Sequence, residues 1–99
     1  MAHGALMHES DDDVAVVIQD VTTGDSVKVV TLDGKEFGEV KAVENIPLGH
    51  KIALRGMDEG KKLIKYNRVI GLTTKKIALG AHVHTQNVRS IRWEYSINE

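Results

Sequence analysis

One recurring pattern narrows the fold more than any other feature: an apolar residue, two others, glycine, two others, an apolar residue. It occurs as Val21-Thr22-Thr23-Gly24-Asp25-Ser26-Val27, as Ile46-Pro47-Leu48-Gly49-His50-Lys51-Ile52, as Met57-Asp58-Glu59-Gly60-Lys61-Lys62-Leu63 and as Ile77-Ala78-Leu79-Gly80-Ala81-His82-Val83. A central glycine supplies the positive φ of a tight turn, and the flanking apolar residues aim both arms of the turn at a core. The copies are unequally spaced, which does not suit a solenoid; they suit a compact, mostly β domain with several similar corners. Nine glycines scattered along 99 residues also break up helices. Only short helical turns are expected, at 21–24 and 77–80.

The segments between corners read as strands. Residues 14–18, VAVVI, form an uninterrupted apolar run, as in a strand covered on both faces. Residues 27–31 are β-branched and partly alternating, Asp33-Gly34 marks a hairpin turn, and 37–43 return. Residues 63–66 and 68–72 form another pair, with a bulge or turn at Asn67. Val83 and residues 88–93 supply the last strands.

At this length one domain with a modest core is expected, and a substrate would sit on its surface or against a partner. Thirteen basic and fourteen acidic residues leave almost no net charge, and four aromatics offer no stacking platform, so a nucleic-acid partner is not expected. The absence of cysteine excludes disulfides and thiolate sites and fits a reducing cytoplasm. No apolar run is long enough to span a membrane, and no secretory signal is visible at the start.

Three places can carry chemistry. On a strand, His82 and His84 project to one face with Cα atoms roughly 6.5 Å apart, and Gln86 continues that face. Paired imidazoles can hold a metal, bind a carboxylate or shuttle protons; they also read as two solvated histidines with Val83 turned to the core. In the second place, Pro47 and Gly49 shape a turn that aims His50 and Lys51 outward while Ile52 and Leu54 return to the core, and Arg55 close behind can clamp a carboxylate; an ordinary solvated basic loop is the alternative. In the third, the acidic run at 8–13 suits a hard cation, a proton relay or a solvated turn before the first strand. No phosphate loop and no supported nucleophile is present.

Taken together and in order, His8 to Gly24, Ile46 to Leu54, the IKYNRVIG stretch at 64–71 and the HVHTQNV stretch at 82–88 resemble the small module of the altronate and galactarate dehydratase family, which includes sulfolactate sulfo-lyase small subunits. The resemblance covers about residues 8–93, and the Arg92-Trp93 ending is similar to that of free-standing small subunits. It implies a SAF-type β-clip domain over 8–93, with a flexible lead at 1–7 and a tail at 94–99. It implies a hydro-lyase acting on sugar acids, with a divalent metal (iron or manganese) in the full enzyme and a large catalytic dehydratase subunit as partner; self-association stays open. Sulfite elimination from sulfolactate is the alternative. By resemblance His82, His84 and His50 are catalytic, with His82 and His84 as candidate metal ligands; Lys51, Asn87 and Asp12 bind substrate, and Arg55 joins them as the nearby carboxylate clamp. The sequence departs from the family pattern at Gln86, where a third histidine is common, at Asn67, where glycine is common, and at Asp13, where asparagine is common.

Two rivals remain at this point. One is a binding module in which the histidines only orient a ligand. The other is an isolated metal-binding β domain using His82, His84 and His8.

Overall fold

A computed structural model of the chain describes residues 4–8, 12–65 and 68–90. The described residues contain nine strands and no helix. They are β1 (Ala5–Met7), β2 (Val14–Val17), β3 (Ser26–Thr31), β4 (Glu36–Lys41), β5 (Lys51–Ala53), β6 (Lys62–Lys65), β7 (Arg68–Thr73), β8 (His82–Val83) and β9 (Val88–Ser90). A six-stranded sheet runs β4-β3-β1-β2-β5-β8, and a three-stranded sheet runs β6-β7-β9. The expected bulge or turn at Asn67, the continuation of the last strand to Trp93, the acidic residues 9–11 and the tail at 94–99 lie outside the described residues.

The four glycine corners are built alike, and they work in pairs. Gly24, Gly49, Gly60 and Gly80 take φ of 95°, 86°, 84° and 86°. Their flanking apolar residues are all buried, none more than 5% exposed. Val21 bridges Ile46 and Met57 bridges Ile77, each pair exchanging two backbone hydrogen bonds of 2.7–2.9 Å. Each corner glycine also donates its N–H to the carbonyl four residues ahead of its partner corner: Gly24 to Ala42, Gly49 to Val17, Gly60 to Thr73 and Gly80 to Ala53. Those four acceptors are themselves buried. The repeat is therefore eleven residues long, starting at 17, 42, 53 and 73. The helical turns expected at 21–24 and 77–80 are these β corners instead.

The first corner pair encloses one core cluster, including Val17, Val29, Ile46 and Ile52; the second encloses another, including Met57, Leu63, Ile77 and Val83. β2 serves both. Ala15 and Val17 pack in the first cluster and Val14 in the second, so a continuous apolar run is what this strand needs. The β3–β4 hairpin turns at Gly34, with φ of 93°.

Residues 1–7 are not a loose lead where they are described. β1 lies between β2 and β3, parallel to β3, with Ala5 and Met7 fully buried. A three-residue strand this close to the start has no local signal; its hydrogen bonds come from partners about ten and 24 residues away along the chain.

Asp13 ties the two halves together. Its carboxylate, 2% exposed, accepts hydrogen bonds from Arg55 Nη1 (3.1 Å), Lys61 Nζ (2.9 Å) and the Ile64 N–H (2.7 Å). Three donors on one buried carboxylate satisfy the requirement for burying such a charge.

Candidate functional site

β5 and β8 are antiparallel neighbours in register Lys51↔Val83 and Ile52↔His82. Continuing the register sets His50 opposite His84, and pleating turns His50, His82 and His84 to one side. The rings meet there. His50 and His84 stack with centroids 4.1 Å apart, and His82 lies 5.1 Å from His50 and 5.6 Å from His84. One nitrogen from each ring lies within 4.8 Å of the other two. β8 is the edge of its sheet, and His84 is exposed while the other two rings are half-buried, so the cluster opens at the surface.

His50 Nδ1 and His82 Nε2 are 2.9 Å apart, so one of them donates a proton to the other. The Gln86 amide nitrogen approaches His82 Nδ1 at 3.3 Å. An amide can turn either end to that nitrogen, so Gln86 can support either tautomer of His82. Burial, then the neighbouring His50 and His84, push the His82 pKa below the ordinary histidine value, opposed by Glu44. His82 thus favours the neutral form, which accepts protons and ligates metals.

The turn after β8 is held by Asn87. Its side chain accepts the His84 N–H (3.0 Å) and donates to the His82 carbonyl (2.8 Å). Asn87 is buried, with both ends of its amide engaged with the backbone. Those two bonds tie the backbone of His82 to that of His84. Glu44, which no sequence pattern singled out, accepts the His82 backbone N–H at 2.8 Å.

The other expected substrate contacts lie elsewhere. Lys51 pairs with Val16 and Val83 and faces the opposite side of β5 from His50. Arg55 is engaged with Asp13 and with the Asp12 carbonyl at 3.0 Å. Asp12 is fully buried, and its carboxylate accepts the His8 N–H at 2.9 Å. His8 Nδ1 meets Lys65 Nζ at 2.6 Å, so His8 does not complete the cluster. The third imidazole comes from His50, across the strand pair, and clustering of three survives the loss of histidine at position 86.

The donor set fits a divalent metal of the kind the resemblance implies. Three imidazoles suit iron better than manganese, which favours oxygen donors. One nitrogen of each ring lies within 4.8 Å of the other two, so a small inward shift of the rings would bring all three onto one ion.

A family model, the altronate/galactarate dehydratase SAF domain, matches residues 3–91. The chain belongs to this family. It is 35% identical over 89 residues to the (2R)-sulfolactate sulfo-lyase subunit alpha of Chromohalobacter salexigens, covering 89% of this chain and 95% of that one. It is 42% identical over 65 residues to the subunit of the same name from Paracoccus pantotrophus, covering 66% of this chain and 96% of the relative. Altronate dehydratase of Escherichia coli is 35% identical over 79 residues, covering 80% of this SAF-family chain but 15% of that enzyme. These relatives are lyases or lyase subunits. No helix among the described residues is long and apolar enough to cross a membrane.

Proposed function

We propose that this chain is the small subunit of a lyase that removes a leaving group from the carbon next to a 2-hydroxy acid's hydroxyl-bearing carbon, working with a large catalytic subunit. The supporting observation is the open cluster of His50, His82 and His84, with His82 biased to its neutral form. In such a reaction a base takes the proton beside the carboxylate. The electron pair left behind forms a carbon–carbon double bond as the leaving group departs with its own bonding pair. The enol so formed tautomerises to a 2-oxo acid.

The proton beside a carboxylate is weakly acidic, so the charge that develops must be stabilised. A bound divalent metal, held by His50, His82 and His84, would supply that stabilisation as a Lewis acid. With its single lone pair given to such a metal, His82 has none left for a proton, so the base that takes the substrate proton comes from the large subunit. Glu44 and Asn87 fix the backbone on which these rings stand. The large subunit covers the open side and contributes the remaining substrate contacts.

Near-complete coverage of two sulfolactate sulfo-lyase alpha subunits favours sulfite as the leaving group and sulfolactate as the substrate. The altronate dehydratase similarity supports the second reading, in which water leaves a sugar acid. The test is turnover of both substrate classes by the complex reconstituted with its large subunit. The double variant His82→Ala/His84→Ala should lose on the order of a hundredfold or more in kcat. Undiminished turnover would refute the assignment, and a loss confined to KM would make the module a binder only.

A further inference from the structure

On the side of β5 away from the imidazole cluster lies a pocket of about 300 Å³, between the two sheets. Leu63, Ile70, Val83 and Val88 give it apolar walls, and Lys51 and Ser90 bring an ammonium and a hydroxyl to it. The volume is at the lower end of the ~300–1,000 Å³ found for small-molecule sites. His84 also touches its rim.

Lys51 is the informative residue. It is half-buried, and among the described residues no carboxylate or carbonyl takes a hydrogen bond from its ammonium. The other half-buried basic side chains nearby are all engaged: Arg55 and Lys61 with Asp13, and Lys65 with His8. A half-desolvated ammonium above apolar walls is costly unless an anion meets it. The Lys65 pKa is pushed down by burial and by the Lys51 charge, against the pull of Asp12. Asp12 offsets Lys65, its pull the larger of the two, which leaves Lys51 as the cation that faces the pocket.

We propose that this pocket binds a small organic monoanion, a carboxylate or sulfonate with a short aliphatic chain, its acid group on Lys51 and its carbons against Leu63, Ile70, Val83 and Val88. The site adjoins the imidazole cluster at His84 and does not depend on the lyase reading. Charge selects the head group, and the narrow apolar walls select a short tail.

The test uses the full chain, labelled at its methyl groups, titrated with butyrate, propanesulfonate and the neutral analogue butyramide. Either acid should shift the Ile70, Val83 and Val88 methyl resonances saturably, and the tighter of the two identifies the preferred head group. Lys51→Met keeps the aliphatic stem and removes the charge; it should weaken acid binding about tenfold or more. Lys35→Met, an exposed cation on the β3–β4 turn, should leave binding unchanged, and preserved spectra for both variants will show that they fold. Absence of a saturable shift with either acid, equal binding of butyramide, or full affinity in Lys51→Met overturns the proposal.

Discussion

Replacing Gly80 by alanine tests both the corner geometry and its link to the histidines. Gly80 has φ of 86°, a region that costs an alanine about 1–2 kcal/mol. A Cβ built there would stand 2.0 Å from the Lys41 carbonyl oxygen, with Lys41 C at 3.2 Å and Val43 N at 3.5 Å. These are backbone atoms and cannot swing aside as a side chain would. The 41–43 segment must move, which breaks the hydrogen bond from the Val43 N–H to the Gly80 carbonyl at 3.0 Å and strains that from the Gly80 N–H to Ala53 at 2.9 Å. At about 1 kcal/mol each, the total loss is about 3–4 kcal/mol. Gly60→Ala is the control: its φ is 84°, but nothing lies within 4 Å of the added carbon, so it should lose only about 1–2 kcal/mol. Urea unfolding followed by far-ultraviolet circular dichroism measures the two side by side. A difference of about 2 kcal/mol corresponds to roughly 8–16 °C in Tm for a domain of this size. Glu44 follows the displaced segment and holds the His82 N–H, so the His82 ring signals should also move in Gly80→Ala and not in Gly60→Ala. Equal destabilisation of the two, within about 0.5 kcal/mol, would refute the close approach.

Asp13→Ala leaves the Ile64 N–H without its acceptor and strands Lys61 and Arg55, at a cost of about 3 kcal/mol, the low end for a broken buried pair because both cations reach solvent. Asp13→Asn retains an acceptor for Ile64 and should lose roughly half as much in the same urea assay; an equal loss would mean that charge, not the backbone bond, dominates. Asn87→Ala removes two backbone anchors, should cost about 2 kcal/mol, and should broaden the His84 resonances; sharp, unshifted signals would contradict its positioning role. Because the His82 pKa is lowered on folding, the unfolded chain binds more protons as pH falls below the free-histidine value near 6.5. Stability should therefore be complete above that pH and drop as pH falls through the folded pKa, and His82→Gln should flatten the drop; an unchanged pH profile in the variant would count against it.

Much of this architecture was legible because its signals are local. The glycine corners, the apolar strand at 14–17 and the hairpin at Gly34 each depend on residues a few positions apart. The strand pattern also placed His82 and His84 on one side. The arrival of His50 beside them was not legible from periodicity, since it depends on the register of β5 against β8 across 32 residues. The Arg55 contact is non-local in the same way: a basic residue behind a turn looks free until a carboxylate 42 residues earlier is folded against it. Lys51 is a different case. The pleat already separates neighbours on a strand, so the sequence itself held the information that His50 and Lys51 diverge. The longer, eleven-residue repeat has no residue signature, because its first position accepts Val, Ala or Thr, and only the hydrogen bond to the partner corner reveals it.

The pairing of corners within residues 17–52 and within 53–83 has a consequence for how the molecule matures. Nearly all of each cluster comes from one stretch of sequence, so the earlier half can collapse while the later half is still being synthesised. His50 is made with the first half and His82 with the second; at roughly 5–20 residues per second the ribosome releases them about 2–6 s apart. The three rings can meet only when β8 docks on β5. Metal capture at these histidines would thus act as a late checkpoint, loading only chains whose two halves have already joined.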